Sequence, residues 1–282
     1  MPIAALLVAM VCFQVGAATA KQLFPIVGAT GTTALRLGLA SLIMLAVFRP
    51  WRMRPSAREA RMLIVYGLAM GWMNFLFYLS LSRIPLGIAV ALEFTGPLAV
   101  AMAASRRPVD FLWIALAVLG LGILLPLGHQ SQPLRTSGIL FALGAAVCWA
   151  MYIVFGQKMG NAHSGQTAAV GTVVGALCIV PVGAAHAGWM LVSPGILPVA
   201  CAVAVLSSAL PYTLEMYALS RVPARTFGVL MSLDPALAAL SGLCFLGETL
   251  SVVQWAAIAS IIFASAGSAA TSRSAMQSPL PE

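Results

Sequence analysis

Residues 80–101 read SLSRIPLGIAVALEFTGPLAVA, and residues 218–239 read ALSRVPARTFGVLMSLDPALAA. The two stretches align at a constant offset of 138, with Ser82, Arg83, Pro85 and Pro97 matching Ser220, Arg221, Pro223 and Pro235. Each is an apolar run of helical length, entered through an Arg-x-Pro loop and interrupted by one carboxylate and one proline. In the first copy Glu93 stands one turn before Pro97; in the second Asp234 stands directly before Pro235. A third mid-run acid, Glu215, interrupts AVLSSALPYTLEMYALS. A helix that crosses a bilayer needs about 20 apolar residues. A charge at its centre costs about 2.5–3.5 kcal/mol on insertion scales. A chain with only 7 acidic residues does not place three of them there without a use. The economical use is a polar route through the membrane.

The rest of the chain agrees with a membrane setting. Of 282 residues, 61% are hydrophobic and 8% charged, against roughly 25% charged in soluble domains. The apolar runs predict ten helices, at 2–20, 31–48, 62–81, 86–104, 110–128, 137–157, 165–186, 194–219, 226–245 and 252–271. The stretch before AATAK at 17–21 lacks the basic start of a secretory signal and reads as the first helix. The net charge of +8 does not point to nucleic acid, because the basic residues lie between apolar runs, where they set orientation. Eleven fall on one side: Arg49, Arg52, Arg54, Arg58 and Arg61 in one loop, then Arg106, Arg107, Lys158, Arg221, Arg225 and Arg273. Three (Lys21, Arg83 and Arg135) fall on the other. The crowded side is therefore expected in the cytoplasm, with both termini.

The offset also defines a repeat. Cys12-Phe13 and Cys148-Trp149 align at nearly the same spacing, and Asp110 matches Glu248. The unit holds five helices, an odd number, so its two copies must cross the membrane in opposite senses. The expected architecture is an all-α membrane protein: residues 1–128 form one five-helix repeat, 137–271 an inverted second, and 272–282 a cytoplasmic tail. Inverted repeats around a midplane site are a common build of secondary transporters.

Candidate lining residues follow from helical spacing. Gly67, Gly71, Asn74 and Tyr78 share a face; the glycines, like Gly171 and Gly175, suit close helix packing, while Asn74 and Tyr78 extend polar groups along the stripe. Trp149, Tyr152 and Gly156 share another face, and Ser208, Tyr212 and Glu215 a third. Pro97, Pro211 and Pro235 each remove a backbone donor and free a carbonyl one turn back. Carboxylates beside aromatic faces suit a cationic group such as an ammonium. Arg36, the one basic residue well inside a span, has two readings: it holds a substrate carboxylate or an acid, or it snorkels to the outer surface. Lys21 reads as an interfacial anchor, and Asp110 and Glu248 as caps of helix starts. The five cysteines all fall in apolar spans and read as small packing residues.

The run IPLGIAVALEFTGPLAVAMAASRRPVDF, with LAVLGLGILLPLG after it, closely resembles the amino-acid-exporting branch of the EamA group, within the drug/metabolite transporter superfamily. The resemblance continues through VGATGTTALRLGLA, GAAVCWAMYIVFGQ, SSALPYTLEMYALSRVPARTFGVLMSLDPALAALSG and FLGETL, nearly the whole chain. It implies ten helices in two repeats and proton-driven efflux of small hydrophilic amino acids, of threonine or homoserine type, across the bacterial inner membrane. It also implies a central cavity to which Glu93, Tyr212, Glu215 and Asp234 contribute. Two departures stand out. The chain opens almost at its first helix, without the basic extension expected ahead of it. Asp234 stands where the longer Glu is expected, which shortens its reach.

No HExxH, no GxSxG with a membrane histidine and no phosphate-binding glycine loop occurs, so neither an enzyme nor a cofactor is expected. The expected partners are an amino-acid substrate, protons and the lipid bilayer. The rival within the class is a facilitator that moves a broader set of metabolites downhill without protons. A membrane scaffold leaves the mid-span acids unexplained.

Overall fold

The computed structural model describes residues 2–103, 108–124, 134–158, 164–211, 214, 218 and 230–271. Tyr212, Glu215, the second Arg-x-Pro loop at 221–223 and the tail at 272–282 lie outside the described residues. Every described element is helical: α1 (Pro2–Lys21), α2 (Phe24–Phe48), a short turn at Pro50–Arg52, α3 (Ala57–Leu81), α4 (Leu86–Glu93), α5 (Thr95–Ala103), α6 (Pro108–Leu124), α7 (Thr136–Lys158), α8 (Ser164–Ala187), α9 (Leu197–Ala204) running into a π-turn (Val205–Ala209), α10 (Asp234–Leu246) and α11 (Val252–Thr271). Five helical stretches are long and apolar enough to cross a membrane: Pro2–Lys21, Phe24–Phe48, Ala57–Leu81, Thr136–Gly156 and Gly165–Val192. Shorter apolar helices occupy the other five expected spans.

Two helices start earlier than hydropathy alone suggests. Helix α3 begins at Ala57 because Ser56 and Glu59 form a capping box, with Ser56 N–H donating to the Glu59 carboxylate at 2.7 Å and Glu59 N–H to Ser56 Oγ at 3.3 Å. Helix α2 begins at Phe24 and turns sharply at Gly28, whose φ of 69° and ψ of 169° are open to glycine and strained for other residues.

The two prolines of the repeated motif lie in the first turn of a new helix. The chain breaks at Phe94, between α4 and α5, and at Ser232–Leu233, just before α10. In that first turn a missing N–H leaves nothing unsatisfied, so the break falls before each proline. Across the bundle, two pairs of helices that correspond under the repeat offset pack on one another: α2 on α8 and α6 on α11. Glycines set some of these distances. A Cβ on Gly71 would stand 2.7 Å from Gly175 Cα, so α3 and α8 touch backbone to backbone, as the packing reading of these glycines expects. A Cβ on Gly87 would stand 2.6 Å from Ala239 Cα, where α4 meets α10.

At the end of the bundle where α1 and α3 finish, the structure revises two expectations. Lys21, expected as an interfacial anchor, has a partner inside the protein. It forms an ion pair with Glu248, at 22% and 14% side-chain exposure, and donates to the Ile84 carbonyl. Glu248 caps a helix start, but not that of its own repeat. Its second oxygen accepts the Leu86 N–H at 2.7 Å, at the head of α4. Its side chain passes over Gly242, where a Cβ would stand 2.5 Å from Glu248 Oε2. Helix α11 is capped instead by Ser251 and Gln254, which exchange bonds of 2.9 and 3.2 Å. Of the cysteines, Cys201 and Cys244 are exposed on the bundle surface rather than packed within it.

Candidate transport cavity

Helices α1, α2, α3, α4, α7 and α10 and the π-turn enclose a cavity of about 150 Å³. Its wall is built from Phe13, Gln14 and Ala17 of α1, Arg36 of α2, Met73, Asn74, Phe77 and Tyr78 of α3, Val90 and Glu93 of α4, Trp149 and Tyr152 of α7, Ser207, Met231 and Asp234. Seven of the nine residues expected to line a route therefore meet in one place: Arg36, Asn74, Tyr78, Glu93, Trp149, Tyr152 and Asp234. The other two, Tyr212 and Glu215, lie outside the described residues.

Arg36 is the centre of the arrangement, and it does not snorkel. It stands eight residues after the kink at Gly28 and twelve before the helix end at Phe48, roughly 12 and 18 Å of helix at 1.5 Å per residue. Only 7% of it is exposed. Its Nε donates to Ser207 Oγ at 2.8 Å, Nη2 to the Ser207 carbonyl at 2.9 Å and Nη1 to Asn74 Oδ1. Its guanidinium lies 5.3 Å from the centre of the Tyr78 ring. Asn74 is itself held, donating to the Met70 carbonyl at 2.8 Å. All three acceptors are neutral. Among the described residues no carboxylate lies in ion-pair contact with Arg36. Of its five N–H donors, two have no acceptor among the described residues. A buried guanidinium held only by neutral groups keeps a charge that an anion can neutralise.

The acids occupy other parts of the same wall. Glu93 is 6% exposed and Asp234 is 8% exposed. Glu93 lies within Coulombic range of both Asp234 and Arg36. Gln14 is a polar neighbour of Asp234, but Asp234 Oδ1 is buried with no hydrogen-bond partner among the described residues. The Tyr78 hydroxyl lies near Arg36 and Ser207 without a hydrogen bond of good geometry. Trp149 meets Phe94 edge-on at 5.6 Å, and Tyr152 stacks on Tyr66 at 4.7 Å, which fixes both indole and phenol against the cavity. Gly156, expected on the same face, packs on Tyr66 instead.

The sequence reading misses three kinds of residue. Gln14 is the lone amide in the apolar run of α1, and that isolation is a usable signal. Phe13, Met73 and Phe77 look like ordinary membrane residues and give none. Ser207, rather than the expected Ser208, reaches the cavity because the π-turn inserts one residue: Leu210 N–H bonds to the Val205 carbonyl, five residues back. The expected face of Ser208, Tyr212 and Glu215 assumed regular α-helix through that point.

Residues 136–269 match the model of the EamA-like transporter family. The chain is 57% identical to the threonine/homoserine exporter RhtA of Salmonella typhimurium strain SL1344, and 56% identical to RhtA of Escherichia coli K12. Both matches run over 97% of this chain and 92% of the relative. It is also 29% identical, over 55% of its length, to the uncharacterized transporter YwfM of Bacillus subtilis, of which 53% is covered. A crystal structure 18% identical in sequence superposes with a TM-score of 0.50, over 95% of this chain and 98% of that one, a likeness of fold alone. Identity above one half along almost the full length of both chains makes this protein a member of the EamA-like transporter family, in the branch that holds the RhtA exporters.

Proposed function

We propose that the protein exports small hydrophilic amino acids, threonine and homoserine first, from the cytoplasm across the bacterial inner membrane in exchange for protons. The observation that carries this reading is the pairing of unmet charges across one cavity. Among the described residues, Arg36 has two donors without an acceptor and no acid in contact, Asp234 Oδ1 has no partner, and Glu93 stands near both. An amino acid is the complement of that pair: its carboxylate completes Arg36, and its ammonium fits between Asp234 and Glu93. The substrate named in the relatives is of this class.

In the proposed cycle ten helices, as two inverted five-helix halves (1–128 and 137–271), rock about the cavity, with both termini in the cytoplasm. The packing of α2 and α6 each on its own counterpart favours a two-fold arrangement of the halves. Glu93, with Glu215 as a second site, alternates between a proton and the substrate ammonium. Occupied by one, it releases the other, and so ties export to proton entry.

The test is uptake of radiolabelled threonine into inverted membrane vesicles, with and without an inside-acid pH gradient. Gradient-dependent accumulation, competed by homoserine, is expected. Saturable equilibration that ignores the gradient would leave the substrate class and remove the proton coupling. No uptake of either amino acid would remove the substrate assignment.

A further inference from the structure

Pro211 has a task that a helix-terminating proline does not explain. In a regular helix the N–H of residue 211 would bond to the carbonyl of Ser207; proline has no N–H to give. The turn ahead of it is already widened, with Leu210 N–H committed to Val205. The Ser207 carbonyl is thus left without its α-helical donor at a buried position, and Arg36 Nη2 takes it at 2.9 Å. The hydroxyl of the same residue accepts from Arg36 Nε while donating to the Val203 carbonyl at 2.6 Å. From the opposite side, Gly16 lets α1 press close: a Cβ there would stand 2.8 Å from Ser207 Cβ and 3.0 Å from its backbone nitrogen.

We infer that Pro211 is a positioning residue, which withholds a helix donor so that the Ser207 backbone locks the Arg36 guanidinium with its two remaining donors toward the substrate carboxylate. The inference rests on the proposed carboxylate role of Arg36. Backbone carbonyls suit the task because they hold a guanidinium without neutralising it, which a carboxylate at the same place would do.

The experiment compares threonine with its amino alcohol, in which CH₂OH replaces the carboxylate, as substrate or competitor in inverted vesicles. Pro211→Ala supplies the missing N–H. It is expected to raise the KM for threonine about tenfold, the worth of one hydrogen bond to a charged group, with the maximal rate and the inhibition by the amino alcohol unchanged. Ser207→Ala keeps the carbonyl and is expected to shift KM less. If Pro211→Ala weakens both ligands equally, or neither, the proline is only a helix breaker and the inference fails. Should that variant not reach the membrane, Gly16→Ala crowds Ser207 from α1 and must give the same one-sided loss; an even loss overturns the inference. Arg36→Gln separates the two claims. If it preserves the preference for threonine over the amino alcohol, the carboxylate role itself is wrong. If it abolishes the preference while Pro211→Ala does not, only the positioning role is wrong.

Discussion

Two basic side chains of this protein, Lys21 half-buried at a helix end and Arg36 buried within the bundle, are treated in opposite ways. Lys21 meets an acid. Glu248 takes its charge and uses the other oxygen to hold the head of α4, so three separated segments are stapled together. Among the described residues, Arg36 meets only an amide, a hydroxyl, a carbonyl and the face of a tyrosine. A neutralised pair is complete and serves structure. A charge held in place but left unneutralised is unfavourable in the empty protein, and the deficit is what a substrate of opposite charge relieves. The same contrast separates the acids: Glu248 is saturated, while Asp234 keeps an open oxygen.

The contrast can be broken by substitution. The largest effect is expected at Arg36. Arg36→Gln should weaken threonine transport by at least about a hundredfold, from two lost charge-assisted bonds to the carboxylate at about 1.5 kcal/mol each, with normal amounts of protein in the membrane. Near-normal transport would return Arg36 to a structural role. Next is Glu93→Gln. The variant should still exchange threonine across vesicles but lose the accumulation driven by an imposed pH gradient, about tenfold per pH unit for one-for-one exchange. Accumulation that survives would take the proton from Glu93.

At the other basic site the loss should be in stability and not in affinity. Lys21→Met should cost about 1–3 kcal/mol in thermal unfolding of the purified protein, below the range for a fully buried pair because its members are partly exposed. Adding Glu248→Gln, which keeps the acceptor for Leu86, should recover part of that loss; a strictly additive double variant would show that the pair is not coupled. The smallest effect is expected for Asp234→Glu. One added methylene beside Gln14 should change threonine KM by less than about tenfold, and a complete loss of transport would make reach, rather than charge, the property that matters there.

Much of the site was legible in single residues. Glu93, Asp234, Asn74 and Arg36 are costly in hydrocarbon, so their presence in apolar runs announces a shared polar surface. Tyr78 follows by helical spacing from Asn74, and Trp149 and Tyr152 from the face they share with Gly156. Where the reading failed, it failed on distance and on local irregularity. Hydropathy starts the span of Arg36 at residue 31, five residues before it, whereas its helix begins at the kink at Gly28, eight residues before it, with a further helical turn from Phe24 ahead of the kink. Ser208 was chosen over Ser207 because the π-turn shifts the helix face by one position. Lys21 and Glu248 stand 227 residues apart in the chain, and neither carries a local mark of the other.

From residue types and their spacing alone come the membrane setting, the two copies of the acid–proline motif and the list of polar side chains that need company. These depend on the transfer cost of each side chain and on helix periodicity, which are local properties. Which polar groups satisfy one another is decided only when the helices pack. The partners are far apart in sequence, several acceptors compete for each donor, and close contacts at Gly16, Gly71 and Gly87 choose among them. Among the described residues, that choice gave Lys21 an acid and left Arg36 without one.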